Sequence, residues 1–210
     1  MKIVKASFVI EDEIDGKKIL QKLENAARTC YKSEGLITDE SYKSIIKKIV
    51  DSYHESVLEH EKVTVRIVCD RGVSHELVRH RIASFSQEST RYCNYGTDKF
   101  GDEITVIAPY DKSVNAPIFN VWESAMINAE KSYMSLLWCG CSPQIARSVL
   151  PNSLKTEIVV TANLREWRHI FAMRTDKAAH PQMREIMCPL LKEIRRLIPI
   201  IYDDIGTDII

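Results

Sequence analysis

Apolar residues recur along this 210-residue chain with two different periods, and the changes of period predict alternating strands and helices. Within residues 62–69, Val63, Val65 and Ile67 stand at every second position, which is typical of a strand with one buried face. Within residues 117–138 the apolar positions recur at helical spacing instead. The patterns together predict an α/β fold.

The remaining elements follow from the same patterns. The predicted strands are residues 1–10, 62–69 and 155–163, and the predicted helices are residues 19–32, 39–53, 71–81, 117–138, 143–150, 164–174 and 181–201. Ser74 and Ser142 are candidate N-caps, and Pro189 is expected to kink the last helix. No repeat or Gly/Ser-rich linker interrupts these elements, so we expect a single domain over residues 1–210.

Overall charge and cysteine usage limit the classes of function. Lysine plus arginine and aspartate plus glutamate both number 29, whereas a nucleic-acid coat protein usually carries a basic excess. The six cysteines show no CxxC spacing and no signal-peptide pattern is visible, which is typical of reduced thiols in the cytoplasm. No apolar run approaches the ~18 residues that a membrane span requires. We therefore expect a soluble, cytoplasmic protein that binds neither nucleic acid nor membranes.

One short stretch, RHRIASFSQESTRY at residues 79–92, concentrates cations and hydroxyl groups. The fork of an arginine binds two phosphate oxygens at once, and serine hydroxyls or loop amides can fill the remaining acceptors. The alternative is a solvated basic surface that Glu76 and Glu88 neutralise. Because arginines and serines alternate over so few residues, the stretch favours a site for the anionic end of a nucleotide.

A metal site and a nucleophile are two further interpretations of this part of the chain. HELVRH at residues 75–80 looks like the zinc-binding HExxH helix, but its histidines stand five residues apart, about 140° round a regular helix. No metal site is therefore expected. Ser89 lacks an adjacent base that would activate it, so we expect a hydrogen-bonding role. Nothing in the sequence sets up a reactive thiol, so the cysteines are interpreted as structural.

Further arginines stand at the edges of predicted elements. Arg147 lies near the end of SPQIAR, Arg165 follows the strand that ends at Asn163, and Arg174 lies at the far end of the next helix. In α/β folds, ligands bind where strands end. Neither GxGxxG nor GxxxxGK[ST] occurs, so no dinucleotide or P-loop fingerprint accounts for these cations.

Four motifs together resemble one known family, the flavin-dependent thymidylate synthases. RHR at residues 79–81, followed by Ser89, matches the signature of that family. HESVLEH at residues 54–60, SPQIARSVLP at residues 142–151 and TANLREWRHIFAMR at residues 161–174 follow in the family's order and approximate spacing. The resemblance covers nearly the whole chain. It implies one domain of the α+β type with a central mixed or antiparallel sheet and flanking helices.

The resemblance implies an enzyme that converts dUMP to dTMP. Methylenetetrahydrofolate would supply the methylene carbon, and FAD reduced by NADPH would supply the hydride that completes the methyl group. The cofactor then carries the redox chemistry, while the protein holds rings and phosphates in register. The resemblance also implies a homotetramer whose active sites are shared between subunits.

Residue by residue, the resemblance implies which positions bind each ligand. The expected FAD-binding residues are Ser56, Arg79, His80, Arg81, Gln87, Asn163, Leu164, Arg165 and His169. The expected dUMP-binding residues are Glu76, Leu77, Val78, Arg79, Gln87, Glu88, Ser89, Thr90, Arg91, Arg147 and Arg174. Arg174 is also expected to be catalytic, as the cation that stabilises the N3 anion of uracil. Many members of the family carry glutamine in place of Glu76, asparagine-glutamate in place of Ser86-Gln87, and asparagine in place of His169.

Two other classes of function remain open at this stage. A nucleic-acid-binding module would use RHR and Arg91 on backbone phosphates, and its binding would depend steeply on salt. A metal-dependent hydrolase would use HELVRH with outlying carboxylates and would lose activity to a chelator. Bound flavin would distinguish the enzyme from both classes, because it colours the purified protein yellow.

Overall fold

The computed structural model describes residues 1–111 and 113–206, in which helices alternate with strands. The strands are β1 (Lys2–Val4), β2 (Ser7–Ile10), β3 (Lys62–Asp70), β4 (Ser84–Gln87), β5 (Thr105–Ile107) and β6 (Lys155–Asn163). The helices are α1 (Gly16–Tyr31), α2 (Ser41–Asp51), α3 (Arg71–Leu77), α4 (Ala116–Trp138), α5 (Pro143–Ala146), α6 (Leu164–Arg174) and α7 (Pro181–Leu197). The predicted α/β class is confirmed.

The described strands form two sheets. One consists of β1 and β5, which pair in parallel, and the other has the strand order β2-β3-β6-β4. Strands β3 and β6 run antiparallel. At one end the Leu164 amide donates to the Glu61 carbonyl at 3.0 Å, and at the other the Arg71 amide donates to the Asn152 carbonyl at 2.9 Å. This pairing agrees with the expected mixed or antiparallel sheet.

Alternation of burial along β3 and β6 explains why the sequence forms strands here. Val63, Val65 and Ile67 of β3 are fully buried, and so are Ile158 and Val160 of β6. Each such side chain contributes about 1.5–3 kcal/mol when it is removed from water. The two-residue period read from residues 62–69 is therefore the buried face of a strand, as predicted.

By its internal contacts the chain divides into two compact units. The first consists of residues 1–8, 66–79 and 85–159, and the second of residues 9–65, 80–84 and 160 onwards. The core of the first unit includes Tyr133 and Val106. In the second unit, Trp167 stacks on Phe171, and Tyr202 meets Phe171 edge-on. The single-domain organisation over residues 1–210 stays a prediction.

The structure corrects the predicted helix around the RHR motif. Helix α3 ends at Leu77, so residues 79–81 lie outside it and the predicted continuation to residue 81 is wrong. Ser74 is not the N-cap, because it lies buried within the helix and its Oγ donates to the Arg71 carbonyl. The cap is Asp70, whose Oδ1 accepts from the Val73 amide at 2.8 Å. A carboxylate at the end of β3 satisfies the first turn directly.

Other boundaries also differ from the sequence patterns. The predicted first strand is two strands, because β1 pairs with β5 whereas β2 pairs with β3. Strands β4 and β5 were not predicted, and α7 ends at Leu197 rather than at residue 201. Ser142 precedes α5 as predicted but makes no side-chain cap hydrogen bond. Pro189 lies inside α7.

Helix α4 exposes much of its apolar surface. Of its 23 residues only Met126 and Tyr133 are buried, while Val121 is 74% exposed and Trp138 is 91% exposed. A helix whose apolar positions face outward presents a surface that a partner can cover. Among the described residues, no helix has the combination of length and apolarity needed to cross a bilayer.

Candidate active site

In the first unit, the side chain of Glu88 is held by two neighbours. Its Oε2 lies 2.9 Å from Lys155 Nζ, and its Oε1 accepts a hydrogen bond from the Tyr95 hydroxyl at 2.9 Å. Burial, together with the charge of Glu88, raises the pKa of Tyr95, which keeps that hydroxyl protonated as a donor. Lys155 therefore compensates a carboxylate that would otherwise repel an anion bound by the residues that follow it.

The backbone at Glu88 is fixed as firmly as its side chain. Arg71 Nη1 donates to the Glu88 carbonyl and to Thr156 Oγ1, both at 3.1 Å. Gln87 Nε2 donates to Ser74 Oγ at 2.8 Å and to Thr156 Oγ1 at 3.2 Å. These bonds tie the end of β4 to α3 and β6. Arg71, Thr156 and Lys155 were not among the residues predicted from the sequence.

The predicted residues Ser89 to Arg91 form a turn directly after this anchor. The Ser89 carbonyl accepts from the Tyr92 and Cys93 amides, and its Oγ accepts from the Arg91 amide at 3.3 Å. Thr90 Oγ1 accepts from Arg147 Nη1 at 3.3 Å. The structure thus brings Arg147 to the turn, and the residues Arg91 and Arg147 are both exposed. In the described part of the chain, no histidine or carboxylate contacts the Ser89 hydroxyl, so nothing there activates it as a nucleophile.

The end of α3 presents its predicted residues in different ways. Val78 and Arg79 are exposed, and Glu76 is half-buried. Leu77 is buried, so a contribution from Leu77 to binding would come from its backbone. The Arg79 amide reaches the Glu76 carbonyl at 3.4 Å. Their roles in ligand binding stay predictions.

The second unit brings four titratable residues together at α6, and three of them were predicted site residues. Arg174 Nε donates to His80 Nε2 at 3.0 Å. On the other side of the ring, His80 Nδ1 lies 3.5 Å from Glu166 Oε1. The rings of His80 and His169 meet edge to face, with 5.5 Å between their centroids. His80 is 4% exposed and Glu166 is 6% exposed, so the contact between them is shielded from water.

Burial determines the protonation states in this cluster. It lowers the pKa of His80 to about 4, with further contributions from the charges of Arg174 and His169. Burial also raises the pKa of Glu166. His80 is therefore neutral at pH 7. Because its Nε2 accepts from Arg174, its single proton is assigned to Nδ1, on the side of Glu166.

His80, Glu166 and His169 could also offer three ligand atoms to a metal, since these atoms lie within 4.8 Å of one another. Glu166 is far from His80 in the chain, so no spacing in the sequence indicates this group. A metal on His80 Nδ1 would move the ring proton to Nε2, where it would face the N–H of Arg174 Nε. Two donors would then oppose each other beside a fixed cation, so the arrangement favours a neutral imidazole.

The start of α6 and the segment Glu55–His60 present more of the predicted residues. Asn163 Oδ1 caps α6 by accepting from the Glu166 amide at 2.8 Å. Arg165 Nη1 lies 2.6 Å from Glu59 Oε1 on the surface. Leu164 is fully buried, so its backbone alone could meet a ligand. Arg81 is exposed, next to a turn in which the Ala83 amide donates to the His80 carbonyl.

Arg168 is a buried residue that was not among the predicted site residues. Its Nε donates to Glu55 Oε1 at 2.8 Å, and its two terminal nitrogens bind the carboxylate of Asp204 at 2.7 Å each. It also donates to the Ile201 carbonyl. Arg168 thus connects the segment that carries Ser56 with α6 and with the residues that follow α7.

A cavity of about 520 Å³ lies between α1, α2 and the segment that contains His54, Ser56 and Val57. Ser56, a predicted flavin-binding residue, lines it together with His54, Tyr31, the cationic Lys48, and Arg28, whose guanidinium is paired with Glu24. Its size lies within the range of small-molecule sites, and a mixed apolar and cationic lining suits a planar ring that carries anionic groups.

Comparisons with known proteins agree with the motifs. A family model for thymidylate synthase complementing protein matches residues 14–200. The chain is 36% identical over 188 residues to a flavin-dependent thymidylate synthase of Geobacter sulfurreducens, covering 86% of this chain and 79% of that protein. It is 36% identical over 161 residues to a protein of the same name from Pyrococcus abyssi, covering 76% of this chain and 65% of that protein.

Among solved structures, the UMP/dUMP methylase PolB from Streptomyces cacaoi, bound with 5-Br dUMP, shares the fold. The TM-score is 0.79 at 22% sequence identity, over 97% of this chain and 96% of that chain. At this identity the likeness supports the fold alone. The family match over residues 14–200 and the identity to the Geobacter sulfurreducens protein identify the chain as a member of the thymidylate synthase complementing protein family, the flavin-dependent thymidylate synthases.

Proposed function

We propose that this protein is a flavin-dependent thymidylate synthase that methylates dUMP to dTMP. Methylenetetrahydrofolate serves as the carbon donor and NADPH as the reductant. The observation that carries the proposal is the turn at residues 89–91, where exposed Arg91 and Arg147 stand beside a carboxylate that Lys155 has already neutralised. Such a turn offers guanidinium and hydroxyl donors to a phosphate without a competing free anion.

In this proposal the first unit binds the nucleotide. Ser89, Arg91 and Arg147 hold the phosphate of dUMP, while Gln87 and the end of α3 approach the rest of the nucleotide. Ser89 acts through hydrogen bonds and not as a nucleophile, because in the described part of the chain no basic side chain contacts its hydroxyl. The anchored backbone at Glu88 keeps the turn in place before dUMP arrives, which lowers the entropic cost of binding.

The residues of the second unit fit FAD. The cavity at Ser56 accepts a ring system, and Arg81 and Arg165 offer guanidinium groups for a pyrophosphate. Arg165 is half exposed in its ion pair with Glu59, and an exposed pair of this kind is weak enough to exchange for a phosphate. When bound, FAD supplies the hydride that completes the methyl group. The protein binds and orients the cofactor and excludes water from the reacting ring.

Arg174 is the residue that we propose for transition-state stabilisation. Its guanidinium supplies a planar group with several hydrogen-bond donors in a fixed fork. The neighbouring His80 is neutral, so it orients Arg174 without adding a competing charge. A preorganised cation beside uracil stabilises negative charge that develops on the ring and needs no proton transfer.

The assembly and the location belong to the same proposal. We propose a homotetramer in which a second copy covers the exposed apolar residues of α4, because only Met126 and Tyr133 of this long helix are buried within the chain. The family model runs through both compact units, which supports one domain over residues 1–210. All six cysteines lie in the described part of the chain and none forms a disulfide bond, which supports a cytoplasmic location.

The experiment that tests the function combines colour and turnover. The purified protein should show the absorption spectrum of an oxidised flavin. It should form dTMP only when dUMP, methylenetetrahydrofolate and NADPH are all present, and EDTA should leave the rate unchanged. A colourless protein that neither takes up added FAD nor forms dTMP would refute the proposal. Binding to an oligonucleotide that weakens steeply with salt would favour the nucleic-acid-binding alternative instead.

A further inference from the structure

In the second unit, His80 contacts Glu166 through Nδ1 and Arg174 through Nε2. We propose that Glu166 is a positioning residue, which holds the proton of His80 on Nδ1 and so keeps His80 Nε2 as the acceptor that orients Arg174. The proposal rests on the proposed function in one respect, since it assigns the orientation of Arg174 to the methylation of dUMP.

The contact between Arg174 and His80 determines which ring nitrogen of His80 carries the proton. Arg174 Nε and His80 Nε2 are 3.0 Å apart, a normal hydrogen-bond distance. An arginine can only donate, so His80 Nε2 must accept and cannot carry a proton. The neutral ring then has its proton on Nδ1. The group that faces Nδ1 is the carboxylate of Glu166, at 3.5 Å.

The relative energy of the two tautomers of His80 depends on Glu166 as well. Which nitrogen of a neutral imidazole is protonated depends on the groups that face the ring. A carboxylate beside Nδ1 stabilises the Nδ1–H tautomer, and the separation of 3.5 Å makes this attraction mainly electrostatic rather than a short hydrogen bond. Both groups are buried, so water screens the attraction little. Glu166 and Arg174 therefore favour the same tautomer from opposite sides of the ring.

The first turn of α6 places the side chain of Glu166 against His80. A buried carboxylate costs free energy unless nearby groups compensate it. The Glu166 amide is used by the Asn163 cap of α6, which fixes the backbone of Glu166 in the first turn. From that position its carboxylate reaches the ring of His80. The same ring accepts a hydrogen bond from Arg174, which is the last residue of α6. The attraction between this carboxylate and the proton on His80 Nδ1 offsets part of the cost of burial, and the same attraction favours the Nδ1–H tautomer.

The tautomer itself is the first measurement. With ¹⁵N-labelled histidine, the two ring nitrogens of His80 give separate signals whose shifts report which one is protonated, and the His80→Gln variant assigns them. We expect the Nδ1–H tautomer at pH 7.5 in the wild-type protein and in Glu166→Gln, whose amide oxygen can still face the Nδ1 proton. We expect a measurable population of the Nε2–H tautomer in Glu166→Leu. An Nε2–H tautomer in the wild-type protein would overturn the proposal.

The second measurement separates the two half-reactions. In Glu166→Leu, reduction of the flavin by NADPH should stay within about twofold of wild type, while methyl transfer from the reduced enzyme should slow about tenfold, the factor that corresponds to one ordinary hydrogen bond. The decrease should appear in kcat rather than in KM for dUMP, and Glu166→Gln should recover most of it. Glu193→Leu, which removes a surface carboxylate from α7, is the control and should leave both steps unchanged.

The remaining outcomes separate this proposal from the proposed function. Equal slowing of both half-reactions in Glu166→Leu, or unchanged methyl transfer with an unchanged tautomer, would show that Glu166 has only a structural role. If Glu166→Leu fails to fold, a Glu166→Gln variant with the Nε2–H tautomer would contradict the proposal. If the wild-type protein forms no dTMP, the function is wrong, but the tautomer measurement still tests the arrangement.

Discussion

Lys155 and Glu88 form a largely buried ion pair, with 2.9 Å between Nζ and Oε2 and with most of both side chains shielded from solvent. The pair lies immediately before the turn that carries Ser89 and Arg91. An unpaired carboxylate at position 88 would both lose hydration and repel the phosphate that we propose for that turn. The stability of the first unit and its affinity for nucleotide are therefore linked through one lysine.

Replacing Lys155 should weaken both properties. Lys155→Met leaves Glu88 uncompensated, so we expect a loss of about 1–3 kcal/mol in unfolding free energy and a KM for dUMP raised about tenfold or more. The double variant Lys155→Met, Glu88→Gln removes both charges but keeps an acceptor for the Tyr95 hydroxyl, so it should recover most of the stability. Chemical denaturation and steady-state kinetics measure the two effects. A double variant no more stable than Lys155→Met would contradict this account.

Replacing Arg81 should reduce flavin content without unfolding the protein. Arg81 is exposed, and exposed substitutions usually change stability by about 0.5 kcal/mol or less. We expect Arg81→Ala to retain about a tenth or less of the flavin, since a guanidinium–phosphate contact is charge-assisted. The absorbance ratio of flavin to protein measures this, with Arg196→Ala on α7 as a matched exposed arginine. Unchanged flavin content would remove Arg81 from the cofactor site.

Replacing Arg174 should affect the second half-reaction. Arg174→Ala should bind FAD and be reduced by NADPH, but form dTMP slower by about a hundredfold, the usual scale for one preorganised electrostatic contact. Arg174→Lys keeps the charge and loses the planar fork, so it should recover only part of the rate. Rapid-mixing experiments measure separately the rate of flavin reduction by NADPH and the rate of dTMP formation by the reduced enzyme. Slow flavin reduction with normal methyl transfer would assign Arg174 to a different substrate.

The stability of the protein should depend on pH through His80. Its pKa is lowered to about 4 by burial and by the charges of Arg174 and His169, and Glu166 faces it from α6. The unfolded chain, with a histidine pKa near 6.5, therefore binds the proton more tightly. The contribution of neutral His80 is complete above about pH 6.5 and is lost as the pH falls towards 4, amounting to about 3 kcal/mol.

Denaturant unfolding at pH 7 and at pH 4.5 measures this contribution. His80→Gln removes the titrating group, so the variant should lose less stability than wild type between the two values. Equal losses in both proteins would mean that His80 is protonated in the folded state at higher pH than its surroundings imply.

Charging the exposed face of α4 should dissociate the assembly. Val121 is 74% exposed within the chain, so Val121→Arg should leave the fold of the subunit intact while burying an unpaired cation in a tetramer interface. Light scattering at micromolar concentration should show a tetramer for wild type and smaller species for the variant. Val9→Arg, an exposed valine on β2, is the control. A wild-type monomer that turns over dUMP would refute the shared-site assembly.

The sequence predicted the elements whose buried faces are long. Strand β3 and helix α6 follow from periodicity because many successive residues repeat the same environment. Strands β4 and β5, of four and three residues, are too short for a period to stand out. The N-cap at Asp70 was missed because serine and aspartate serve equally well as caps, and only the position of the strand end distinguishes them.

The candidate site was predictable to a similar extent. The motif resemblance pointed to His80, His169 and Arg174. In the structure, His80 contacts both Arg174 and His169. The resemblance did not identify Glu166 or Lys155, because each contacts a residue far away in the chain. The sequence shows which residues are charged, but the fold determines which charged side chains lie next to each other.

The bonds of Arg168 have a consequence for local opening of the protein. One buried guanidinium holds Glu55, beside Ser56, and Asp204, beyond α7, so neither segment can leave without stranding a charge in the interior. The two segments and α6 are therefore expected to open as one cooperative unit, with similar protection of their amides from hydrogen exchange. A ligand that binds beside Ser56 would then slow exchange near Asp204 without contacting it.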